Sequence, residues 1–231
     1  MAKFYFKKAP NAGGYIITAF QTVGYTSILA SRYLEEKGAI KDIGYIDLDI
    51  ETPVAVIDRG EISFPVRILQ AENSIFINSQ FPLGPDAVDA LITQILEIYK
   101  KYKFKGIICL DGLAIDQGKD VSDLYYVCTK DGFQPANAKK LEDGAIIGLN
   151  AELTLKAKSE NIPVTLLMAE THSEIPDGLA AATLITALSP IGIHVDTKEL
   201  VSEYKQTLAK IDDMLKKLNK KEEPNKNDVY G

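Results

Sequence analysis

Short apolar runs alternate along most of the chain with longer segments in which apolar residues recur every three or four positions. A short apolar run is typical of a strand in a covered sheet, and the longer period is typical of an amphipathic helix. The alternation predicts an α/β layered domain over residues 1–197, with a mixed, largely parallel sheet. The predicted strands are 15–20, 43–48, 54–57, 66–69, 74–78, 106–110, 124–129 and 163–168, and the predicted helices are 25–37, 86–102, 152–161 and 177–188.

Prolines divide the predicted strands into two kinds. Pro53 and Pro65 punctuate the short strands in the first third of the chain. Because proline is confined to the edges of sheets, this part is expected to be antiparallel or to lie at an edge. Residues 106–110 form instead a continuous apolar run, which predicts a central strand covered on both faces.

The last predicted helix, at 198–221, has a narrower apolar pattern than the others. Its apolar residues follow one another at steps of 3, 4, 3, 4 and 3, the heptad repeat of a coiled coil. The helix either packs on its own domain or joins copies of the chain, and the polar residues on its other faces favour self-association. With a length of about 35 Å it could project beyond the domain. We call its apolar residues the heptad seam: Val201, Tyr204, Leu208, Ile211, Leu215 and Leu218.

The chain finishes with a polar segment that carries two large side chains at its end. Residues 219–228 have no apolar side chain other than a proline, so they cannot offset the entropy of ordering. Residues 222–231 are therefore expected to form a flexible, disordered tail. Its final residues are Val229, Tyr230 and Gly231. A C-terminal carboxylate beside apolar side chains is a group that partner proteins bind, so the tail would present a docking motif.

Composition excludes several classes of partner. With 46% hydrophobic and 25% charged residues, the 231-residue chain is typical of a globular protein. Its net charge of -6 argues against nucleic acid or an anionic membrane as a partner, since both require a basic face. Only two cysteines occur, Cys109 and Cys128, and the first residues have no apolar signal core. We therefore expect a cytoplasmic protein without a disulfide framework.

Polar residues after two predicted strands leave an enzymatic function open. Asp111 follows one strand, and Glu170 and His172 follow another. These side chains would converge at the carboxyl ends of the strands, with Thr171 and Asp177 nearby, and could perform acid–base hydrolysis of a small molecule. However, the chain lacks a G-x-S-x-G elbow, a P-loop and a histidine-based metal motif, and acidic residues after strands commonly cap helices. The sequence therefore favours a protein that is not an enzyme and needs no cofactor or metal.

Three stretches of the chain resemble one protein family. The run at 161–171, NIPVTLLMAET, is similar to a G-I-P-x-x-x-L-L-A-E-T motif. It is followed by Pro176-Asp177 and an alanine run at 180–182, similar to P-D-x-x-A-A, and the run at 105–113, KGIICLDGL, resembles a strand that ends in L-x-G. Together these stretches resemble the proteasome assembly chaperone 2 family, specifically its archaeal, self-associating members, over about residues 16–200.

The N-terminal loop departs from the family pattern. Where the family has F-P-G-x-G-x-x-G, residues 20–27 read FQTVGYTS, which keeps only Phe20 and Gly24. Glycines after a strand let the backbone approach a phosphate at a helix N-terminus. Without them, this loop is not expected to bind a nucleotide.

The resemblance implies both a function and an alternative. It implies an assembly chaperone that binds the α ring of the proteasome core particle and could also open its gate. Val229-Tyr230-Gly231 matches the pattern of a hydrophobic residue, a tyrosine and any last residue with which factors dock on that ring. We expect a homo-oligomer, a tetramer or pentamer, in which the heptad seam sets the number and spacing of the tails. Because the family's fold is similar to that of nucleoside phosphorylases and related hydrolases, a nucleosidase-like activity at Asp111 and Glu170 stays an alternative by analogy.

Overall fold

The computed structural model describes residues 2–49, 53–115, 122–129, 131–171 and 175–221. The strands in these ranges are β1 Lys3–Phe6, β2 Tyr15–Ala19, β3 Lys41–Asp47, β4 Val56–Asp58, β5 Glu61–Ser63, β6 Val66–Ala71, β7 Ser74–Ser79, β8 Gly106–Ala114, β9 Leu124–Cys128, β10 Lys139–Lys140 and β11 Val164–Thr171. The α-helices are α1 Thr26–Glu36, α2 Pro85–Tyr102, α3 Leu149–Ser159, α4 Gly178–Ala187 and α5 Lys198–Lys221.

One large mixed sheet organises the chain, in the strand order β1-β3-β6-β7-β2-β8-β11-β9-β10. The four central strands, β7, β2, β8 and β11, run parallel to one another. The strands on one side, β6, β3 and β1, are antiparallel, as is β9 against β11 on the other side. The predicted α/β fold with a mixed sheet is confirmed, and the antiparallel part is the one that the prolines indicated.

Helices cover both faces of the sheet, and the sheet separates two hydrophobic cores. On one face, Leu91 and Ile95 of α2 and Leu153 of α3 pack against the sheet. On the other face, α1, α4 and the start of α5 pack together, and the small alanines of α4 allow a close approach to the strands. Burial of apolar surface on both faces explains why β8 and β11 are continuous apolar runs rather than alternating ones.

Several boundaries differ from the predictions. The strand predicted at 106–110 continues to Ala114, and the one predicted at 163–168 continues to Thr171. The two strands extend together because they pair in parallel over this whole length. The helix predicted at 152–161 begins earlier, at Leu149, after Gly148 with a φ of 87°. The short strand predicted at 54–57 pairs only with β5, in a hairpin outside the large sheet.

The C-terminal helix has the bounds that its heptad pattern predicts, Lys198–Lys221. The predicted disordered tail at 222–231 lies outside the described residues. Among the helices that the structure describes, none has the length and apolar character needed to cross a membrane.

Candidate functional site

The first turns of α5 are fixed to the body of the domain. The Tyr33 hydroxyl of α1 donates a hydrogen bond to the carbonyl of Asp196 at 2.8 Å, and Lys37 forms an ion pair with Glu199. Tyr204 is buried against Gly178 of α4, where an added Cβ would stand only 2.8 Å from the Tyr204 Cβ. A glycine at the start of α4 therefore lets the two helices meet at close range.

The burial of the heptad seam changes after Tyr204. Val201 is half-buried against the core between α4 and the sheet, so the first two seam residues pack on their own domain. Leu208 and Ile211 lie on successive turns of α5, and their side chains are 36% and 37% exposed. The helix thus presents an apolar stripe, Leu208 and Ile211, that the chain leaves partly exposed.

The other predicted partner-binding residues belong to the last turns of α5 and to the tail. Leu215 and Leu218 belong to α5, but their side chains lie outside the described part of the structure. Val229, Tyr230 and Gly231 lie outside the described residues altogether. Their assignment to an oligomer contact and to a docking motif stays a prediction.

The family motifs of the sequence meet at one buried group of residues, Gly24, Thr171 and Asp177, which we call the Thr171–Asp177 junction. Asp177 Oδ1 accepts hydrogen bonds from the backbone N–H groups of Leu179 and Ala180, both at 3.0 Å. Its Oδ2 accepts a hydrogen bond from the Thr171 hydroxyl at 3.0 Å, and its own N–H donates to the carbonyl of Gly24 at 2.9 Å. Asp177 therefore caps α4, as expected for an acidic residue before a helix.

The two glycines of the motifs permit a close contact between the N-terminal loop and the sheet. Gly24 has a φ of 64°, and a Cβ added there would lie 2.1 Å from the Thr171 hydroxyl. A Cβ on Gly112 would lie 2.3 Å from the carbonyl oxygen of Val23. Both glycines are therefore explained by packing of the loop on β8 and β11 rather than by an approach to a phosphate.

A cavity of about 770 Å³ opens at the carboxyl ends of the parallel strands. Its walls come from residues 20–23 after β2, from the segment between β7 and α2, from Asp111 of β8 and from the first turn of α3. We call it the strand-end cavity. Ligands of open α/β sheets bind in this position, because loops diverge there and leave a crevice.

Asp111 and Asn150 form the polar floor of the strand-end cavity. Asn150 Nδ2 donates hydrogen bonds to Asp111 Oδ2 at 2.9 Å and to the carbonyl of Leu110 at 3.1 Å, while Asn150 Oδ1 accepts from the Thr18 hydroxyl at 3.4 Å. Asp111 Oδ1 accepts from the N–H of Gly112 at 2.8 Å. Burial raises the pKa of the Asp111 carboxyl, and these two hydrogen bonds lower it only in part.

The other residues of the predicted acid–base site have different surroundings. Glu170 is buried and accepts a hydrogen bond from the Tyr125 hydroxyl at 3.3 Å, and it does not line the strand-end cavity. His172 lies outside the described residues, and His194 is exposed. Cys109 belongs to the core, where burial raises the pKa of its thiol to about 12 and keeps it uncharged.

The structure adds Asn150 to the residues that the sequence singled out. Asn150 lies 39 positions from Asp111 in the chain, so no local motif joins them. Within the described ranges, no three histidine, cysteine or acidic side chains are grouped so that they could hold a metal ion.

Residues 16–215 match the model of the PAC2 family. The chain therefore belongs to the PAC2 family, which confirms the resemblance seen in its motifs. An uncharacterized protein of Methanocaldococcus jannaschii is 23% identical over 192 residues, which cover 81% of this chain and 79% of that protein.

Solved structures share the fold over nearly the whole chain. PbaA of Pyrococcus furiosus, an archaeal homolog of proteasome-assembly chaperone, superposes with a TM-score of 0.81 at 22% identity, covering 94% of this chain and 93% of PbaA. PbaB of the same organism, an archaeal proteasome activator, has a TM-score of 0.75 at 16% identity, covering 94% of this chain and 98% of PbaB.

Proposed function

We propose that this chain is a proteasome assembly chaperone that binds the outer, α-subunit ring of the proteasome core particle. The observation that carries the proposal is membership of the PAC2 family over residues 16–215. The shared fold with PbaA, whose name connects it with proteasome assembly, supports the same role.

The contact with the ring is made by the last residues of the chain. Tyr230 and the free carboxylate of Gly231 enter a pocket between neighbouring α subunits, where the carboxylate pairs with a lysine, and Val229 fills an adjacent apolar groove. This is the C-terminal capture that short peptide ligands use, and its affinity for a single tail is low. Residues 222–228, which follow the end of α5, are the tether.

Self-association raises the affinity of the weak single tails. Leu208 and Ile211 form an apolar stripe on α5 that the chain leaves partly exposed, and burial of such a stripe between helices favours an oligomer. Several tails on one oligomer gain about 10²–10⁴ in avidity when their spacing matches the pockets of the ring. The anchored start of α5 supports this mechanism, because a fixed helix holds the tails at defined positions.

A pull-down with purified proteasome core particle tests the docking mechanism. The full chain is compared with Tyr230→Ala, with a chain extended by a few residues past Gly231, and with Tyr5→Ala as a matched control on the body, where Tyr5 is exposed. Wild type and Tyr5→Ala should bind, and the other two should not. Equal binding of all four would exclude the terminal carboxylate as the contact.

Gate opening is tested separately on the mature particle. A docked tail that opens the gate increases hydrolysis of small peptides by the core particle, and Tyr230→Ala should abolish the increase. If wild type binds the particle without changing hydrolysis, the chain docks on the mature particle without opening its gate.

A further inference from the structure

The strand-end cavity has the volume of a small-molecule site. Its volume of about 770 Å³ lies within the range of ligand pockets, about 300–1,000 Å³. Its walls are largely apolar and include Phe20 and Phe81. Phe81 and Ile147 at its rim are 42% and 90% exposed, so apolar surface is available to a ligand at the entrance.

The charged residues that line the cavity are both acidic. Asp111 lies on the floor and Glu152 in the first turn of α3, whereas no lysine, arginine or histidine of the described residues lines the cavity. The N-termini of α2 and α3 lie close by and carry positive partial charge, but each has an acidic residue in its first turn, Asp86 and Glu152, which offsets it. The cavity therefore disfavours anions and favours cations.

Asp111 is a partly buried acid with no counter-ion among the described residues. Its two oxygens accept one hydrogen bond each, from Gly112 and Asn150, although a carboxylate has room for about four. No cationic side chain of the described residues forms an ion pair with it. Arg67, by contrast, is a mostly buried charge with counter-ions: its guanidinium forms ion pairs with Glu35 and Asp42. A charge that is largely withdrawn from water is normally paired in this way, because its solvation is otherwise lost without compensation.

We propose that the strand-end cavity binds a small ligand that carries an ammonium group on an apolar body. The ammonium pairs with the Asp111 carboxylate, and the apolar body lies against Phe20, Phe81 and Ile147. Asn150 acts as a positioning residue: both of its N–H donors and its oxygen are engaged by the protein, so it fixes Asp111 without offering a group to the ligand. The site does not depend on the proteasome and is independent of the proposed function.

Titration calorimetry on the purified full chain tests the proposal with three probes of similar size and different charge: 2-phenylethylamine, 2-phenylethanol and phenylacetate. The amine should bind at least about tenfold more tightly than the alcohol or the carboxylate, because a hydrogen-bonded charge pair in a partly buried site contributes a factor of this order. Weak or equal binding of all three probes would overturn the proposal.

Variants locate the binding. Asp111→Asn should weaken binding of the amine by about tenfold or more and leave binding of the alcohol unchanged. Glu203→Gln, which removes one exposed negative charge on α5, should change the affinity for neither probe. Phe81→Ala removes a cavity-lining side chain that is 42% exposed, so it serves as a second test if Asp111→Asn folds poorly. Phe81→Ala should weaken the binding of the amine and of the alcohol alike. Amine affinity that is unchanged in both cavity variants would place the binding elsewhere and overturn the proposal.

Discussion

The Thr171 hydroxyl and the Asp177 carboxylate share a hydrogen bond of 3.0 Å in the interior of the protein. The bond joins the end of β11 to the start of α4, and the Asp177 N–H extends the connection to Gly24. Tyr204 of α5 adjoins the same group, where burial and the Asp177 charge raise the pKa of its phenol to about 12. The residues that resemble the family motif are therefore explained by a structural role at the point where α5 is attached.

Replacement of Asp177 should be strongly destabilising. Asp177→Ala removes the cap of two N–H groups and leaves the buried Thr171 hydroxyl without its acceptor. We expect the free energy of unfolding to fall by about 2–4 kcal/mol in urea denaturation.

The control is Asp196→Ala, which removes the exposed cap before α5, where Asp196 accepts a hydrogen bond from the N–H of Lys198. It should lower the free energy of unfolding by only about 1 kcal/mol. Equal losses for the two variants would show that the buried position of Asp177 contributes nothing beyond a cap.

Gly24→Ala should destabilise the protein more than alanine at another glycine with a positive φ. Gly38, with a φ of 71°, has open space around an added Cβ, so Gly38→Ala reports the backbone strain alone, about 1–2 kcal/mol. Gly24→Ala adds the clash with Thr171 and should lower the free energy of unfolding by a further 1–3 kcal/mol or so, typical of overpacking.

A double-mutant cycle assigns the extra loss to that contact. Thr171→Ala removes the clashing hydroxyl, so Gly24→Ala should be less damaging in its presence than in the wild type. Strict additivity of the two changes would mean that the loop does not meet β11 at this point.

The periodic parts of the fold were predictable because their signals are local. The heptad pattern predicted the bounds of α5, and the apolar run at 106–110 predicted a central strand that became β8. β1 was missed, because Lys3–Phe6 is a short edge strand with alternating exposure rather than an apolar run. A pattern also could not show that Tyr204 packs on Gly178, or that Asn150 holds Asp111, since these contacts join residues that are distant in the chain.

The pH dependence of stability should reveal Asp111. Because burial raises its pKa in the folded state, the folded chain keeps this proton to a higher pH than the unfolded chain does. The associated stability is fully present below the ordinary pKa of about 3.9 and is lost as the pH rises through the folded value. Relative to Asp111→Asn, the wild type should therefore lose free energy of unfolding between pH 4 and neutral pH or so.

Urea denaturation of the wild type and of Asp111→Asn over this pH range gives the difference in their free energies of unfolding. The altered hydrogen bonds of the variant add a constant to this difference and do not affect its slope with pH. Asp47→Asn, at the exposed end of β3, controls for the loss of one charge. A difference that does not change with pH, or that has the opposite slope, would contradict the raised pKa.

Negative charges at Leu208 and Ile211 of the heptad seam should dissociate the proposed homo-oligomer without unfolding the domain. In Leu208→Glu and Ile211→Glu the new carboxylates repel one another across a helix contact, while both positions are more than a third exposed within one chain. We expect native mass spectrometry to show monomers and urea denaturation to show little change. Gln206→Glu introduces the same charge on a different face of α5 and should preserve the oligomer.

The dissociated seam variants should also bind the core particle more weakly. Since each monomer carries one tail, the binding of a monomer to the core particle should weaken by about 10²–10⁴. An unchanged subunit count in both seam variants would mean that this stripe does not join the copies, and the spacing of the tails would then require another contact.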